Sequence, residues 1–375
     1  MAVNRMNKQI AWILKQRMKN GLINSYKGNK EDFAHLYDQA VAIIALIHAG
    51  KYPEARRIID RLRRLQNRDG SWYSCYNGKN KRCLLGNPDD IGRHSGPIAW
   101  VLMALNLYEH KTRDKRYAAM IKKILNWLEG MRNKDTSEGN FGSYKYGTES
   151  PSKRVSTEHN YDIYSALRYR AILSKDQNLL SKAKLVRRYL VNKMWAPSPT
   201  SNGPYRTVAV FWRGYKDYQW CTDPQSWGVL ALGNAFRGAL IWLHSRGYSP
   251  IYHRRYGSTR VDNPMLIGNK FVDGYCFCTE NVVAPNKKYP AFCGGKFIWL
   301  EGTLGVASAF YFIGDNRKGD YYFSQATKVV LPDGGVPYSV SNLARRWPCN
   351  YRYGSLASTG WYYLVQHKFN PFAPF

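Results

Sequence analysis

The stretch Tyr37-Asp38-Gln39-Ala40-Val41-Ala42-Ile43-Ile44-Ala45-Leu46-Ile47-His48-Ala49-Gly50 runs through Lys51-Tyr52-Pro53 into Glu54 to Gln66. Its first half is apolar nearly all round, which predicts a helix buried on both sides. Gly50 stops that helix and Pro53 opens the next. In Glu54 to Gln66, Ala55, Ile58, Ile59, Leu62 and Leu65 form one apolar stripe, and Arg residues fill the opposite face. A buried inner helix is therefore followed by an amphipathic outer one.

The same pairing recurs along the chain. Pro97 to Tyr108, Glu158 to Leu173, Pro224 to Trp242, Glu301 to Ile313 and Ser355 to His367 read as inner helices. Arg116 to Arg132, Leu179 to Met194 and Gly319 to Val330 read as outer ones, and Asn7 to Met18 is expected to close the ring beside the last inner helix. The partner of Pro224 to Trp242 is unclear, because Ser245 to Lys296 is rich in Gly, Pro and polar residues. That stretch reads as a loop-rich insertion at about 245–296, a flap over the cleft. Inner-helix starts fall roughly 55 to 80 residues apart, too far for small solenoid repeats. The expected architecture is all-α: one (α/α)6 toroid domain over residues 1–375. Turn-rich segments such as Asn67-Arg68-Asp69-Gly70, Glu138-Gly139-Asn140 and Pro332-Asp333-Gly334-Gly335 each precede an inner helix. The long loops therefore gather on the face where inner helices begin.

Composition narrows the function classes. The net charge is +30, with only 26 Asp and Glu in 375 residues. Such a field attracts polyanions, so nucleic acid or an anionic polysaccharide is a candidate partner. No zinc-finger spacing, ribonucleoprotein signature or basic zipper accompanies it. The 29 Tyr and 12 Trp suit both core filling and sugar platforms. Seven Cys is an odd count, and free thiols are the simpler reading, although Cys75 with Cys83, or Cys276 or Cys278 with Cys293, could bridge loops. No metal or other cofactor is expected. No signal peptide is visible, so the chain as given reads as leaderless, and no apolar run approaches the roughly 20 residues of a membrane span.

The scarce acids recur at inner-helix starts: Asp38, Glu158 with Asp162, Asp223 and Glu301. Helix starts on one face of a toroid point into one mouth, and a carboxylate-lined mouth is equipment for cutting glycosidic bonds. Glu158 is the first candidate for general acid. Asp162 lies one turn on and shares its face. Asp38, Asp223 and Glu301 are candidates for the opposing base, and capping of their helices competes with that role. Expected substrate contacts are His159, Asn160, Tyr37, Arg93, His94, Trp227 and Asp333, with Trp72, Trp299 and Tyr338 as sugar platforms.

The motifs Tyr37-Asp38-Gln39-Ala40, Ser156-Thr157-Glu158-His159-Asn160-Tyr161-Asp162, Gln225-Ser226-Trp227-Gly228, Trp299-Leu300-Glu301-Gly302-Thr303, Leu331-Pro332-Asp333-Gly334-Gly335 and Phe369-Asn370-Pro371-Phe372 occur in this order. Together they resemble a microbial group within the six-hairpin glycosidase-like superfamily. The resemblance covers nearly the whole chain. It implies an (α/α)6 toroid and a carbohydrate ligand, but it leaves the reaction open, because such folds host hydrolases, lyases, epimerases and cyclases.

The leading expectation is therefore a glycoside hydrolase acting on an oligo- or polysaccharide, acidic if the charge reports on substrate, by two carboxylates. One alternative is a lyase of a uronate polymer, in which His159, Tyr161 and Arg93 would serve. Another is a non-catalytic basic toroid that binds a polyanion. A terpene-cyclase reading of Gln66 to Trp72 ranks last.

Overall fold

The computed structural model describes residues 6–28, 32–83, 92–148, 154–196, 210–217, 220–244, 265–267, 269–277, 297–341 and 351–375. Helix α1 spans Lys8–Lys15, α2 Leu36–His48, α3 Tyr52–Leu65, α4 Ser95–Thr112, α5 Ala118–Met131 and α6 Thr157–Ser174. Helix α7 is Gln177–Tyr189, α8 Thr222–Leu232, α9 Gly238–His244, α10 Leu300–Phe312, α11 Asn316–Thr327 and α12 Leu356–Gln366. The fold is helix-rich.

Even-numbered helices are the buried ones. Helix α2 buries every residue from Ala40 to Ile47, as its all-round apolar sequence requires. Helix α3 buries only Ala55, Ile58, Ile59 and Leu62. The even helices pack in a closed order: α2 on α4, α4 on α6, α6 on α8, α8 on α10, α10 on α12, and α12 back on α2. Each has an outer partner, with α3 on α2, α5 on α4, α7 on α6, α9 on α8, α11 on α10 and α1 on α12. The N-terminal helix thus sits beside the last inner helix, as expected.

Trp100, Trp227 and Trp361 meet inside the ring, from α4, α8 and α12. Trp227 and Trp361 are stacked with centroids 5.8 Å apart. Phe372, from the segment after α12, inserts edge-on against Trp100 at 5.4 Å. Asn370 anchors that segment by donating to the Leu230 carbonyl at 3.0 Å.

Short antiparallel strands tie the loops to the inner-helix starts. Strand β1 (Phe33–His35) pairs with β2 (Cys75–Asn77), and β3 (Trp195–Ala196) with β4 (Val210–Phe211). Strand β5 (Met265–Ile267) pairs with β6 (Lys270–Val272). Strand β7 (Ile298–Trp299) pairs with β9 (Ser339–Val340), and β8 (Val336–Pro337) with β10 (Gly354–Ser355). Strands β1, β7 and β10 lead directly into α2, α10 and α12.

Two expectations change. Pro224 to Trp242 is not one helix. It breaks at Gly233, whose φ of +106° takes the chain out of the helical region. The remainder forms a short 3-10 turn and α9, which folds back on α8 as the missing outer partner. Thiols are not all free either. Cys75 and Cys83 form a disulfide, and Cys221 is also disulfide-bonded, while Cys276 is buried. The Cys83 amide donates to the Cys75 carbonyl, so a local hairpin brings their Cα atoms to 5.3 Å, a bridging distance. Most of the expected flap at 245–296 lies outside the described residues. No helix of the described residues is long and apolar enough to cross a membrane.

Candidate active site

The first turns of the inner helices converge on one cavity of about 330 Å3. Helix α2 and the strand before it supply His35, Tyr37 and Asp38. Helix α4 supplies Pro97 and Trp100, with His94 as the residue before it. Helix α6 supplies Glu158, His159 and Asp162, α8 Asp223 and Trp227, α10 Glu301 with Trp299 before it, and α12 Ala357. All five acids expected to be catalytic line this one space. The loops add Tyr26, Ser74, Tyr146, Phe277 and Tyr338.

Helix starts favour anionic side chains, but burial wins here. Burial pushes the Glu158 carboxyl up to about 7, and Arg154 pulls modestly the other way. Burial pushes Glu301 up to about 8, where the bond from Tyr37 opposes and the charges of Asp38 and Glu158 add. Asp162 is raised well above the carboxylate range by burial and then by Glu158, while its bond from Trp100 Nε1 at 2.9 Å opposes. Asp223 is raised well above it by burial and by the charges of Glu158, Glu301 and Asp162. These carboxyls sense one another, so they titrate as a group and cannot all be ionised near neutral pH.

Two contact networks hold the cluster. Trp361 Nε1 donates to the Tyr37 hydroxyl at 2.7 Å, and Tyr37 in turn donates to Glu301 Oε1. On the other side, Tyr146 stacks on His159 with centroids 4.3 Å apart, and Arg154 lies over the outer face of Tyr146. Ser95 Oγ contacts His159 Nδ1 at 3.3 Å, and Ser74 Oγ contacts His94 Nδ1 at 2.9 Å. Burial, then the cationic forms of His94 and Arg154, lower the His159 imidazole well below its usual value, so it is neutral at neutral pH. Gly96 makes room for this corner: a Cβ there would press on the His159 ring and come within 2.9 Å of Asp162 Oδ2.

Of the residues expected to contact substrate, Tyr37, His94, His159, Trp227, Trp299 and Tyr338 line the cavity. The other four are placed elsewhere. Trp72 is fully buried in the core, and its indole donates to the Leu62 carbonyl at 2.8 Å, so it is no platform. Asn160 is buried and spent on backbone, holding the Tyr144 amide at 2.8 Å and carbonyl at 3.1 Å. Arg93 pairs with Asp69 at 2.9 Å, and Asp333 with Lys27 at 2.5 Å; neither lines the cavity. Tyr161, proposed for the lyase, is in the core and donates to the Pro224 carbonyl. Tyr26, His35, Ser74, Tyr146 and Phe277 were not anticipated. They stand in loops and short strands, and pairings such as His35 with Cys75 bring them to the rim.

No family model matches the chain, and no curated protein matches it. Solved structures match over nearly its whole length. A glycosidase variant in complex with glucose aligns at TM-score 0.61 and 12% identity, over 96% of this chain and 94% of that one. A D-mannose isomerase aligns at TM-score 0.62 and 15% identity, over 96% and 95%. An inactive α-1,6-mannanase variant of Salegentibacter in complex with α-1,6-mannotriose aligns at TM-score 0.51 and 12% identity, over 96% of each chain. At such identities the likeness is one of fold alone.

Proposed function

We propose that the chain is one (α/α)6 toroid and a glycoside hydrolase that works by two carboxylates in the mouth of the ring. One observation carries the reading: the first two turns of α2, α6, α8 and α10 bring Asp38, Glu158, Asp162, Asp223 and Glu301 to one aromatic-walled cavity. Glu158 is half-buried and open to the cavity, while the other four are buried. Glu158 is the general acid. Its raised value of about 7 keeps much of it protonated at neutral pH. Glu301 is the general base. The hydroxyl of Tyr37 stabilises its charged form, and a proton on Glu158 removes a charge that otherwise raises Glu301. The working state is the microstate with the proton on Glu158 and a charge on Glu301. Because Glu301 holds a proton more tightly, it is the minor form of the singly protonated pair, which is most populated between the two values. Burial and neighbouring carboxylates raise Asp162 and Asp223 well above the usual carboxylate range, which holds the charge of the cavity down. Trp299 and Tyr338 serve as walls for the sugar faces.

The acid-lined cavity suits an uncharged sugar unit, because a uronate carboxylate would add to the crowded negative charge. Of the cation and bases wanted for β-elimination, Arg93 and Tyr161 are committed elsewhere. A second reading, sugar isomerisation, draws on His94 and His159, whose rings line the cavity 6.4 Å apart. A neutral imidazole can carry a proton between adjacent sugar carbons.

The test is reducing-end release from neutral and acidic oligosaccharides, with ketose formation and ultraviolet absorbance followed in parallel. Glu158→Gln should lower the rate on natural glycosides by about 10²- to 10⁴-fold. It should be far less damaging on a glycoside whose leaving group needs no proton, whereas Glu301→Gln should be inactive on both. Wild-type release that survives Glu158→Gln intact would sink the assignment. Ketose from free aldose, abolished by His159→Ala, would establish the isomerase instead.

A further inference from the structure

The positive charge is not spread evenly round the ring. Helices α3, α5 and α7 carry eleven Lys or Arg against three Asp or Glu. The outer helices α1, α9 and α11 carry four against one. The first three are neighbours. Gln66, at the end of α3, donates to the Met120 carbonyl of α5 at 3.2 Å, and Lys182 of α7 pairs with Glu129 of α5 at 3.0 Å. They form one continuous wall.

Two of the three acids of this wall, Asp60 and Glu129, are already engaged. Asp60 accepts from Tyr117 at 2.8 Å and lies near Arg56 and Arg63. Glu129 is shared by Arg132, Lys134 and Lys182. Seven cations then stand exposed with no ion pair among the described residues: Arg57, Arg64, Lys122, Lys123, Lys184, Arg187 and Arg188. A row of unneutralised cations holds a linear polyanion by releasing its condensed counterions. Tyr52 is the exposed ring among the residues of these three helices, so the wall offers little for bases to stack on. Acidic groups on a sugar chain need no such platform.

We propose that the α3–α5–α7 wall is a docking surface for an acidic polysaccharide, separate from the carboxylate cavity. The choice of a polysaccharide rests on the carbohydrate reading of the cavity; the anion binding itself does not. The cavity would act on uncharged units while the wall holds the enzyme on the matrix that carries them. The overall charge would then report on attachment, not on the sugar being cut.

The test measures affinity for polygalacturonate at several salt concentrations, using the full chain with Glu158→Gln so that hydrolysis plays no part. The wall variant is Arg57→Glu, Arg64→Glu, Arg187→Glu and Arg188→Glu. The control, Lys8→Glu, Lys15→Glu, Arg237→Glu and Arg317→Glu, makes the same change in net charge on α1 and α11 and just before α9. The wall variant should bind about tenfold more weakly or worse, with a shallower slope of log affinity against log salt. The control should stay within about threefold of the parent. If the wall variant fails to fold, the milder Arg57→Gln with Arg187→Gln should still show a loss that the matching Lys15→Gln with Arg317→Gln does not. Equal losses in both sets, or no loss, would overturn the proposal. So would a DNA duplex that displaces polygalacturonate at matched charge, which would make nucleic acid the occupant. Failure of hydrolysis alone would leave these affinities unchanged.

Discussion

At the scale of single residues, Tyr37 decides which carboxylate works. Its hydroxyl accepts from Trp361 and donates to Glu301, so both partners orient it, and Trp100 packs edge-on against its ring at 5.1 Å. Tyr37→Phe keeps the ring and removes the donor. The ionised form of Glu301 then loses a stabilising bond, and its proton is held more tightly. The acid limb of the kcat/KM profile should move to higher pH, and the maximum should fall by about 10- to 100-fold. A profile of unchanged shape with a lower plateau would mean that Tyr37 only fills space. Loss of the acceptor for Trp361 should also cost about 1–2 kcal/mol of stability, read from chemical denaturation.

At the scale of elements, the site is a property of helix starts, and that is why its acids were legible. Few carboxylates occur in the chain, and four begin inner helices, so position along the helix named Asp38, Glu158, Asp223 and Glu301 without any coordinates. The aromatic and histidine rim was legible only in part. Tyr146 and His35 reach the cavity because backbone pairs tie distant loops to helix starts, and such pairings leave no periodic mark in sequence. Trp72 misled for a related reason. It follows an Asp-Gly turn, which suggests exposure, yet the turn folds its indole onto the Leu62 carbonyl. The break at Gly233 was hidden because an isolated glycine in an apolar run is compatible with a continuing helix. Asn160 shows what the motif around Glu158 does beyond catalysis. It clamps the Tyr144 backbone and also donates to the Ser156 carbonyl at 2.7 Å, so it fixes the loop that carries Tyr146 over His159. Asn160→Ala strands buried backbone groups and should cost about 1–3 kcal/mol. Activity at temperatures where the variant is folded should still fall, because Tyr146 loses its mooring. A stability loss with unchanged kcat/KM would show that the loop keeps its place without the clamp.

At the scale of the molecule, a strongly positive body encloses a cavity of carboxyls, and the two respond to pH in opposite ways. The native state holds Glu158 and Glu301 at about 7 and about 8, against an ordinary value of 4.5. Between pH about 4.5 and 8 the folded chain therefore binds more protons than the unfolded one. The contribution of these groups is fully present below the unfolded value and is lost as pH rises through the folded values. His35 and His159 work the other way. Burial lowers both, so folding opposes their protonation, and their contribution is lost as pH falls through the ordinary histidine range. The net charge of +30 adds self-repulsion that grows on acidification. The raw stability curve mixes these opposing effects, and a difference measurement separates them. Glu301→Gln keeps an acceptor for Tyr37 and cannot ionise. Its thermal midpoint should exceed that of the wild type at pH about 8.5, where the wild type must bury a charge. The gap should shrink steadily on acidification and vanish only below pH about 4, where Glu301 is protonated in both states. The same comparison with Glu158→Gln should show a smaller gap that levels off at lower pH, near about 7, and closes over the same acidic range, because Glu158 has the lower folded value. A gap that does not change with pH would mean that the glutamine alters packing only, and that Glu301 carries no raised proton affinity for the chemistry to use.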